Sequence, residues 1–497
     1  MNRVERVAYN TKGQRLSHLV IDVGTSGLRT VVVRPDATLA FEHHQRMLPS
    51  TPWQGAVEFD AVAMASIAVT LAERTLAESG PIASVGIANQ RASTIVWDAV
   101  TGVPVGPGIG WQDLRTAGMC LMLGAQGIKV APNASATKLA YLLDTYDAGR
   151  VRELRFGTVD TWLVWNLSHG EVHVTDATNA AVTGLTRLGA TGLEWDAAVL
   201  GALRIPAAMM PAIVDSCGVM ATATALPGAP PIAGLAGDQQ SSLVGQGCVR
   251  PGMAKITFGT GAMLDACVGD DRPAVVGRGS AGTFPIVAWQ RHGQPTWGVE
   301  AIMLSAGTCV EWLRDDLGVI DDAPSSAQVA AECTTTGDVW FVPALLGLGS
   351  PVWDYGARGT LLGITRGTGR PELVRAVLEG IAHRGADLVE AAEADAHLSI
   401  GELRVDGGMS ANPVFLQALA DAAQRPVEVS PVLEATALGA GFLAGLATGT
   451  WGSMDDVAAS WHPSTVVEPG PITDRDRWRA ARDRSIQWLP DLSALDF

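Results

Sequence analysis

Residues 18–33, HLVIDVGTSGLRTVVV, constrain this chain more than any other stretch, because they read as a strand, a glycine-threonine loop and a second strand. The apolar run ends in Asp22, the loop supplies Gly24, Thr25, Ser26 and Gly27, and a β-branched run resumes after Arg29. Glycines let a backbone approach an anion closely, and free amides with Thr and Ser hydroxyls can hydrogen-bond it. A hairpin of this kind can cradle phosphate. A single Asp-x-Gly-Thr is also what an ordinary tight turn contains, so the motif needs company.

At 497 residues the chain exceeds one core of usual size and implies two large domains or three smaller ones. With 47% hydrophobic and 17% charged residues it has an ordinary globular composition. A formal net charge of −16 argues against nucleic-acid partners and anionic membranes, which want a basic face, and favours a small ligand. The six cysteines, Cys120, Cys217, Cys248, Cys267, Cys309 and Cys333, show no metal-ligand spacing and read as reduced, mostly buried thiols. The polar N-terminal segment has no apolar signal core and no apolar run is long enough to cross a membrane, so no membrane insertion and a cytoplasmic location are expected.

From residue 16 onward, strand-like and helix-like segments alternate, the pattern of an α/β architecture. Asp60 precedes a helical pattern over 61–79, SVGIA and TIVW read as short buried strands around NQRAS, and helices are predicted near 112–125, 135–146 and 158–168. The turn RPGM places a domain boundary near 248–252, after which MAKITF runs into a second glycine-threonine loop, GTGA. The same device recurring half a chain away suggests two similar domains facing each other across a cleft. Near the C-terminus, TDRDRWRAARDR reads as a solvent-facing peripheral helix.

Neither a P-loop nor a dinucleotide-binding turn is present. Three glycine-rich loops at strand ends remain: Asp22 to Gly27, Gly259 to Gly261, and Gly407 to Asn412. Together with IANQRASTIVWD, the stretch 157–180, AGDQQSSLVGQ, KITFGTGAML, the stretch 341–367 and RVDGGMSANP, they make the chain resemble the FGGY carbohydrate kinase family over residues 16–465, and within it the glycerol kinases. That resemblance implies two actin-like, ribonuclease H-like ATPase domains flanking a catalytic cleft. Residues 16–250 would form the polyol-binding domain with the first phosphate loop, residues 251–465 the nucleotide-binding domain, and residues 466–497 a peripheral tail. ATP and Mg²⁺ are the implied cofactors, a small polyol or sugar the partner, and homo-oligomerisation is left open.

Carried over residue by residue, the resemblance gives Asp238 the role of general base, where a carboxylate can accept the proton of a weakly nucleophilic alcohol. On the residues alone, Asp238 would equally suit the N-cap of the following helix. Asp22, with Asp238, would face Mg²⁺, a hard cation that prefers carboxylate oxygen. Gly24, Thr25, Ser26, Gly27 and Arg29 would approach the transferring phosphate, and Gly259, Thr260 and Gly261 would hold the phosphates from the facing domain. Gly307, Glu311, Gly408 and Asn412 would line the nucleotide, although Asn412 before Pro413 also suits a helix cap.

For the polyol the resemblance implies Arg91, Trp111 and Gln239, together with Ala92, Asn133 and Met263. The last three depart from the glycerol kinases, which carry Glu, Tyr and Phe there. Losing a carboxylate and a phenol widens the pocket and weakens its commitment to a three-carbon triol. The expected activity is phosphorylation of a primary hydroxyl of glycerol or of a four- to five-carbon sugar alcohol such as erythritol or threitol. A ketopentose kinase of the same family and a non-catalytic actin-fold sensor are the alternatives.

Overall fold

The computed structural model describes residues 15–189, 192–274 and 277–495. The opening segment forms the predicted hairpin, β1 (His18–Val23) and β2 (Gly27–Val33), extended by β3 (Leu39–Arg46) and joined by β4 (Ser84–Asn89), β5 (Cys217–Thr222) and β6 (Pro231–Gly237). Their order across the sheet is β5-β6-β4-β1-β2-β3, with β1, β4 and β6 mutually parallel and the outer neighbours antiparallel.

The second half repeats the plan. Strands β7 (Ala254–Phe258), β8 (Ala262–Gly269), β9 (Phe284–Arg291), β10 (Gln294–Met303), β11 (Leu403–Asp406), β12 (Val427–Val429) and β13 (Thr465–Val467) lie in the order β9-β10-β8-β7-β11-β12-β13. In each sheet a first strand turns through a glycine-threonine loop into an antiparallel neighbour and pairs in parallel with a later strand on its other side. The repeat suspected from two similar loops is thus a repeat of topology.

The continuous apolar character of β1 follows from burial on both faces. Leu19, Ile21 and Val23 pack with Leu71 and Ala68 of the helix Ala61–Ser79, whereas Val20 packs with Ala440 and Leu443 of the helix Ala435–Ala447. That second helix comes from far down the chain, yet it covers the first sheet. Its fit is backbone to backbone: a Cβ on Gly86 would stand 2.4 Å from the Ala440 carbonyl oxygen, and one on Gly234 2.6 Å from the Ala444 nitrogen. The same helix crosses Asp238–Gly245, where a Cβ on Gly245 would come within 2.8 Å of the Gly439 nitrogen. Contacts this close exclude any side chain larger than hydrogen without a backbone shift.

The charged run near the C-terminus departs from expectation. Its helix, Arg475–Arg482, docks against the long helix Arg370–Ala396, with Trp478 wholly buried and its indole NH donating to Asp387 at 3.1 Å. Arg475 also pairs with Asp387, at 2.5 Å, and with Glu390, at 3.0 Å. Counting charges concealed that one face is apolar and that part of the charge is spent on buried partners. All six cysteines are free, and no described helix is long and apolar enough to cross a membrane.

Candidate active site

Beside Asp238, Arg91 and Gln239 span the gap between the two sheets, to Glu300 and Lys255 respectively. In the first loop, Gly24 N donates to Gly27 O at 3.0 Å, closing the turn, and the Ser26 carbonyl accepts from Met47 N at 3.0 Å. Gly27 is required by packing as much as by any ligand, since a Cβ there would stand 2.8 Å from Gln45 O on the adjoining strand. Thr25 Oγ1 accepts from the Trp111 indole at 3.0 Å, tying the loop to an expected wall of the polyol pocket. Arg29 does not reach freely into the gap: it pairs with Glu42 at 3.0 Å and with Glu434 of the distant segment preceding the helix Ala435–Ala447.

Asp22 is the penultimate residue of β1, half-buried between the buried Ile21 and Val23. Burial pushes its carboxyl up to about 7, against the pull of Arg29 and with a further push from Asp238, so the two carboxylates feel each other. Asp238 opens the helix Asp238–Gly245 and Gly237 occupies the N-cap position, so the capping alternative does not describe it. Its Oδ1 accepts from Gln239 N at 2.8 Å and lies 3.4 Å from Arg91 Nε. Burial raises the Asp238 carboxyl above the usual range, with Arg91 and the Gln239 amide opposing. Two facing carboxylates of this kind are a donor set suited to a hard divalent cation.

Around Asp238 the expected polyol residues converge in part. Arg91 extends past Asp238 to Glu300 of β10, with Nη2 2.6 Å from the carboxylate, and its Nη2 also lies 3.8 Å from Met263 Sδ. Gln239 reaches the second sheet through its Oε1, which accepts from Lys255 Nζ at 2.7 Å. Ala92 is buried and held at a positive φ of 58°, an uncommon conformation for a residue with a Cβ. Its carbonyl accepts from Ser135 Oγ at 3.0 Å. Asn133 is exposed and contributes its carbonyl, not its side chain, to the local hydrogen bonding.

On the second sheet three loops meet backbone to backbone. Gly307 N donates to Gly259 O at 2.9 Å, and the Thr260 carbonyl accepts from Ala306 N at 2.9 Å. A Cβ on Gly261 would stand 2.5 Å from Met303 O, and one on Gly407, at a φ of 88°, 2.3 Å from Phe258 O. Gly259, Thr260, Glu311 and Gly408 are exposed. Asn412 caps the helix Pro413–Ala423 through Phe415 N at 3.0 Å and also donates to Ser326 Oγ at 3.0 Å, so its side chain is already engaged on two sides.

Two buried groups beside the expected site residues escaped sequence reasoning. Lys138 is wholly buried and donates to the carbonyls of Trp111, at 3.0 Å, and Asn133, at 2.9 Å, so one cation ties these two segments together. Burial lowers its pKa to about 7, with Asp113 opposing. Asp176 accepts from Thr178 Oγ1 at 2.9 Å, and that hydroxyl accepts from Gly237 N at 2.9 Å, immediately before Asp238. Asp176 also accepts from Asn179 Nδ2 at 2.9 Å, and Asn179 exchanges amide hydrogen bonds with Asn89 at the entrance to the Arg91 loop. A lysine in a helical pattern with no acidic partner at helical spacing was the only available signal for the first; nothing in local pattern pointed to the second.

Residues 17–245 match the model of the FGGY family of carbohydrate kinases, N-terminal domain, and residues 254–448 match that of its C-terminal domain. A glycerol kinase of Aromatoleum aromaticum is 40% identical over 496 residues, covering 95% of this chain and 99% of the relative. Glycerol kinase 2 of Thermotoga maritima is 39% identical over 495 residues, covering 95% of this chain and 99% of the relative. Among solved structures, the glycerol kinase of Plasmodium falciparum with ADP superposes with a TM-score of 0.86 at 27% identity, covering 97% of this chain and 99% of that one.

Proposed function

The chain belongs to the FGGY family of carbohydrate kinases, with the family's two-domain actin-like fold, and from that premise we propose that it transfers the γ-phosphoryl group of ATP to a primary hydroxyl of a small polyol, with Asp238 as general base. Glycerol or a four- to five-carbon sugar alcohol is the acceptor. The observation that carries this reading is the convergence on Asp238 of Arg91, at 3.4 Å, and of the neighbouring carboxylate Asp22, between the two glycine-threonine loops.

The chemistry follows from the residues. Asp238, kept more basic by burial, accepts the hydroxyl proton as the oxygen attacks phosphorus and the bond to the leaving ADP oxygen breaks. Arg91 and Gln239 present donors to the remaining hydroxyls, and Trp111 offers an apolar wall held by Thr25. Backbone amides of the loops at Gly24 to Gly27 and Gly259 to Gly261 face the phosphates, and closure of the gap excludes water that would otherwise hydrolyse ATP. Asp22 and Asp238 would hold Mg²⁺, which when bound offsets the phosphate charge.

The buried Ala92, which offers no carboxylate to a pair of hydroxyls, supports an acceptor longer than glycerol. ATP consumption measured with glycerol, erythritol, threitols, pentitols and ketopentoses tests both levels of the reading. The highest kcat/KM is expected for a four- or five-carbon alditol; glycerol far ahead of the rest overturns the longer acceptor, and a ketopentose far ahead overturns the polyol.

A further inference from the structure

The second sheet carries three ionisable side chains in one row. Lys255 of β7 stands directly opposite Asp265 of β8, and Asp265 directly opposite Glu300 of β10. Lys255 and Asp265 are wholly buried and Glu300 is 6% exposed. Strands alternate their faces, so the row shares a face with Thr257, Met263 and Ile302, two residues along. Met263 touches Arg91, which identifies that face as the one turned toward the first domain.

Every proton of the Lys255 ammonium is used. It lies 2.8 Å from Asp265 Oδ2, 2.7 Å from Gln239 Oε1 and 3.0 Å from Thr257 Oγ1. At the other end of the row, Glu300 takes Arg91 Nη2 at 2.6 Å. Arg91 Nε and Gln239 N both address Asp238 Oδ1. The polar contacts therefore run from Asp238 through Arg91 to Glu300, and from Asp238 through Gln239 to Lys255 and Asp265, crossing between the domains twice, with Asp265 and Glu300 opposite each other on adjoining strands. Burial, opposed by Arg91 and aided by the neighbouring Asp265, pushes the Glu300 carboxyl up to about 7.

Charges buried this deeply are costly even when paired, so such a chain of contacts persists where it orders something. What it orders is the pair of side chains that read the acceptor. Without Glu300, the nearest carboxylate to the Arg91 guanidinium is Asp238, which would draw it down and blunt the base. Without Lys255, the Gln239 carboxamide loses the partner that fixes its rotamer. We infer that Glu300 and Lys255 are positioning residues, supplied by the nucleotide-side domain, that hold Arg91 and Gln239 in the orientation that binds the polyol. The inference rests on reading Arg91 and Gln239 as polyol contacts, and it makes the acceptor site complete only when the domains are apposed.

Steady-state kinetics on the full chain test it, using whichever polyol the panel selects. Glu300→Ala is expected to raise the polyol KM at least tenfold while the KM for ATP stays within twofold, and Glu300→Gln, which keeps the volume and an accepting oxygen, recovers at least half of that loss. Should Glu300→Ala fail to fold, the double variant Lys255→Met/Asp265→Leu takes its place, because a buried ion pair exchanged for apolar residues of similar volume is commonly tolerated. It is expected to keep its melting temperature and to raise the polyol KM at least fivefold. A polyol KM within twofold of the parent, or an equal rise in both KM values, overturns the inference and leaves the polyol kinase standing. A parent enzyme that phosphorylates no polyol in the panel overturns the proposed function itself.

Discussion

Trp111 Nε1 donates to Thr25 Oγ1 across 3.0 Å, joining the residue proposed as a wall of the polyol pocket to the loop expected to face phosphate. On the proposed reading, this one hydrogen bond couples the position of the acceptor to that of the donor. Trp111→Phe keeps an aromatic wall and removes the bond. The expected result is a roughly fivefold fall in kcat with a smaller change in polyol KM, the equivalent of about 1 kcal/mol. A change confined to KM would assign the indole to binding alone.

Asp238→Asn keeps the shape of the side chain and removes its basicity. The expected loss in kcat is about two to four orders of magnitude. Binding of ADP, measured by calorimetry, is expected to change no more than about threefold, because most of the residues proposed to line the nucleotide, Gly259 to Gly261, Gly307, Glu311, Gly408 and Asn412, lie on the second half of the chain. Retention of a tenth of the parent kcat would remove Asp238 from its role.

The parts of this site legible in the sequence were those whose chemistry is local. A glycine-threonine loop ending a strand reports itself, as does Asn412 before Pro413, and the six-residue hairpin strand β1 falls where its apolar run lies. What could not be read was anything made by two distant segments. Glu300 joins Arg91 only because β10 lies beside β8 across the gap, and Glu434 takes Arg29 from the far end of the chain. The charged C-terminal segment misled for the same reason: its partners Asp387 and Glu390 lie on another helix.

Lys138 offers a test in which stability and activity share a cause. Its folded pKa of about 7 lies below the ordinary 10.5, so between those values the unfolded chain holds the extra proton and stability rises with pH. Below about 7 both states are charged and the penalty is constant. Lys138→Met should abolish that component of the slope, read from denaturant unfolding at a series of pH values. It should also raise the polyol KM about fivefold or more, because the Trp111 and Asn133 carbonyls lose their donor. An unaltered slope would mean that the buried amine titrates normally.

Three histidines, His18 and His383 buried and His173 half-buried, bear on the acid side. Burial holds His18 and His173 near 4 and His383 near 3, against an ordinary 6.5. As pH falls below 6.5 the unfolded chain takes up protons that the native fold refuses, so their contribution to stability is lost down to about 4 and then flattens. His18 bridges Ser84 Oγ at 2.8 Å and Thr450 Oγ1 at 2.9 Å, and His18→Gln is expected to shallow the acid slope by up to one proton. An identical slope in that variant would place the acid sensitivity elsewhere.

The glycine-lined seat of the helix Ala435–Ala447 on the first sheet bears on how the protein is made. A chain emerging from the ribosome presents β1, β4 and β6 early, but the layer that covers Val20, Ala88, Ala233 and Ala236 is synthesised only after most strands of the second sheet. The first domain therefore cannot finish folding while the second is still being translated. Cut between residues 248 and 252, the N-terminal piece would be left with a bare apolar sheet face and a tendency to aggregate. Supplying the missing piece in trans would have to bring that helix with it.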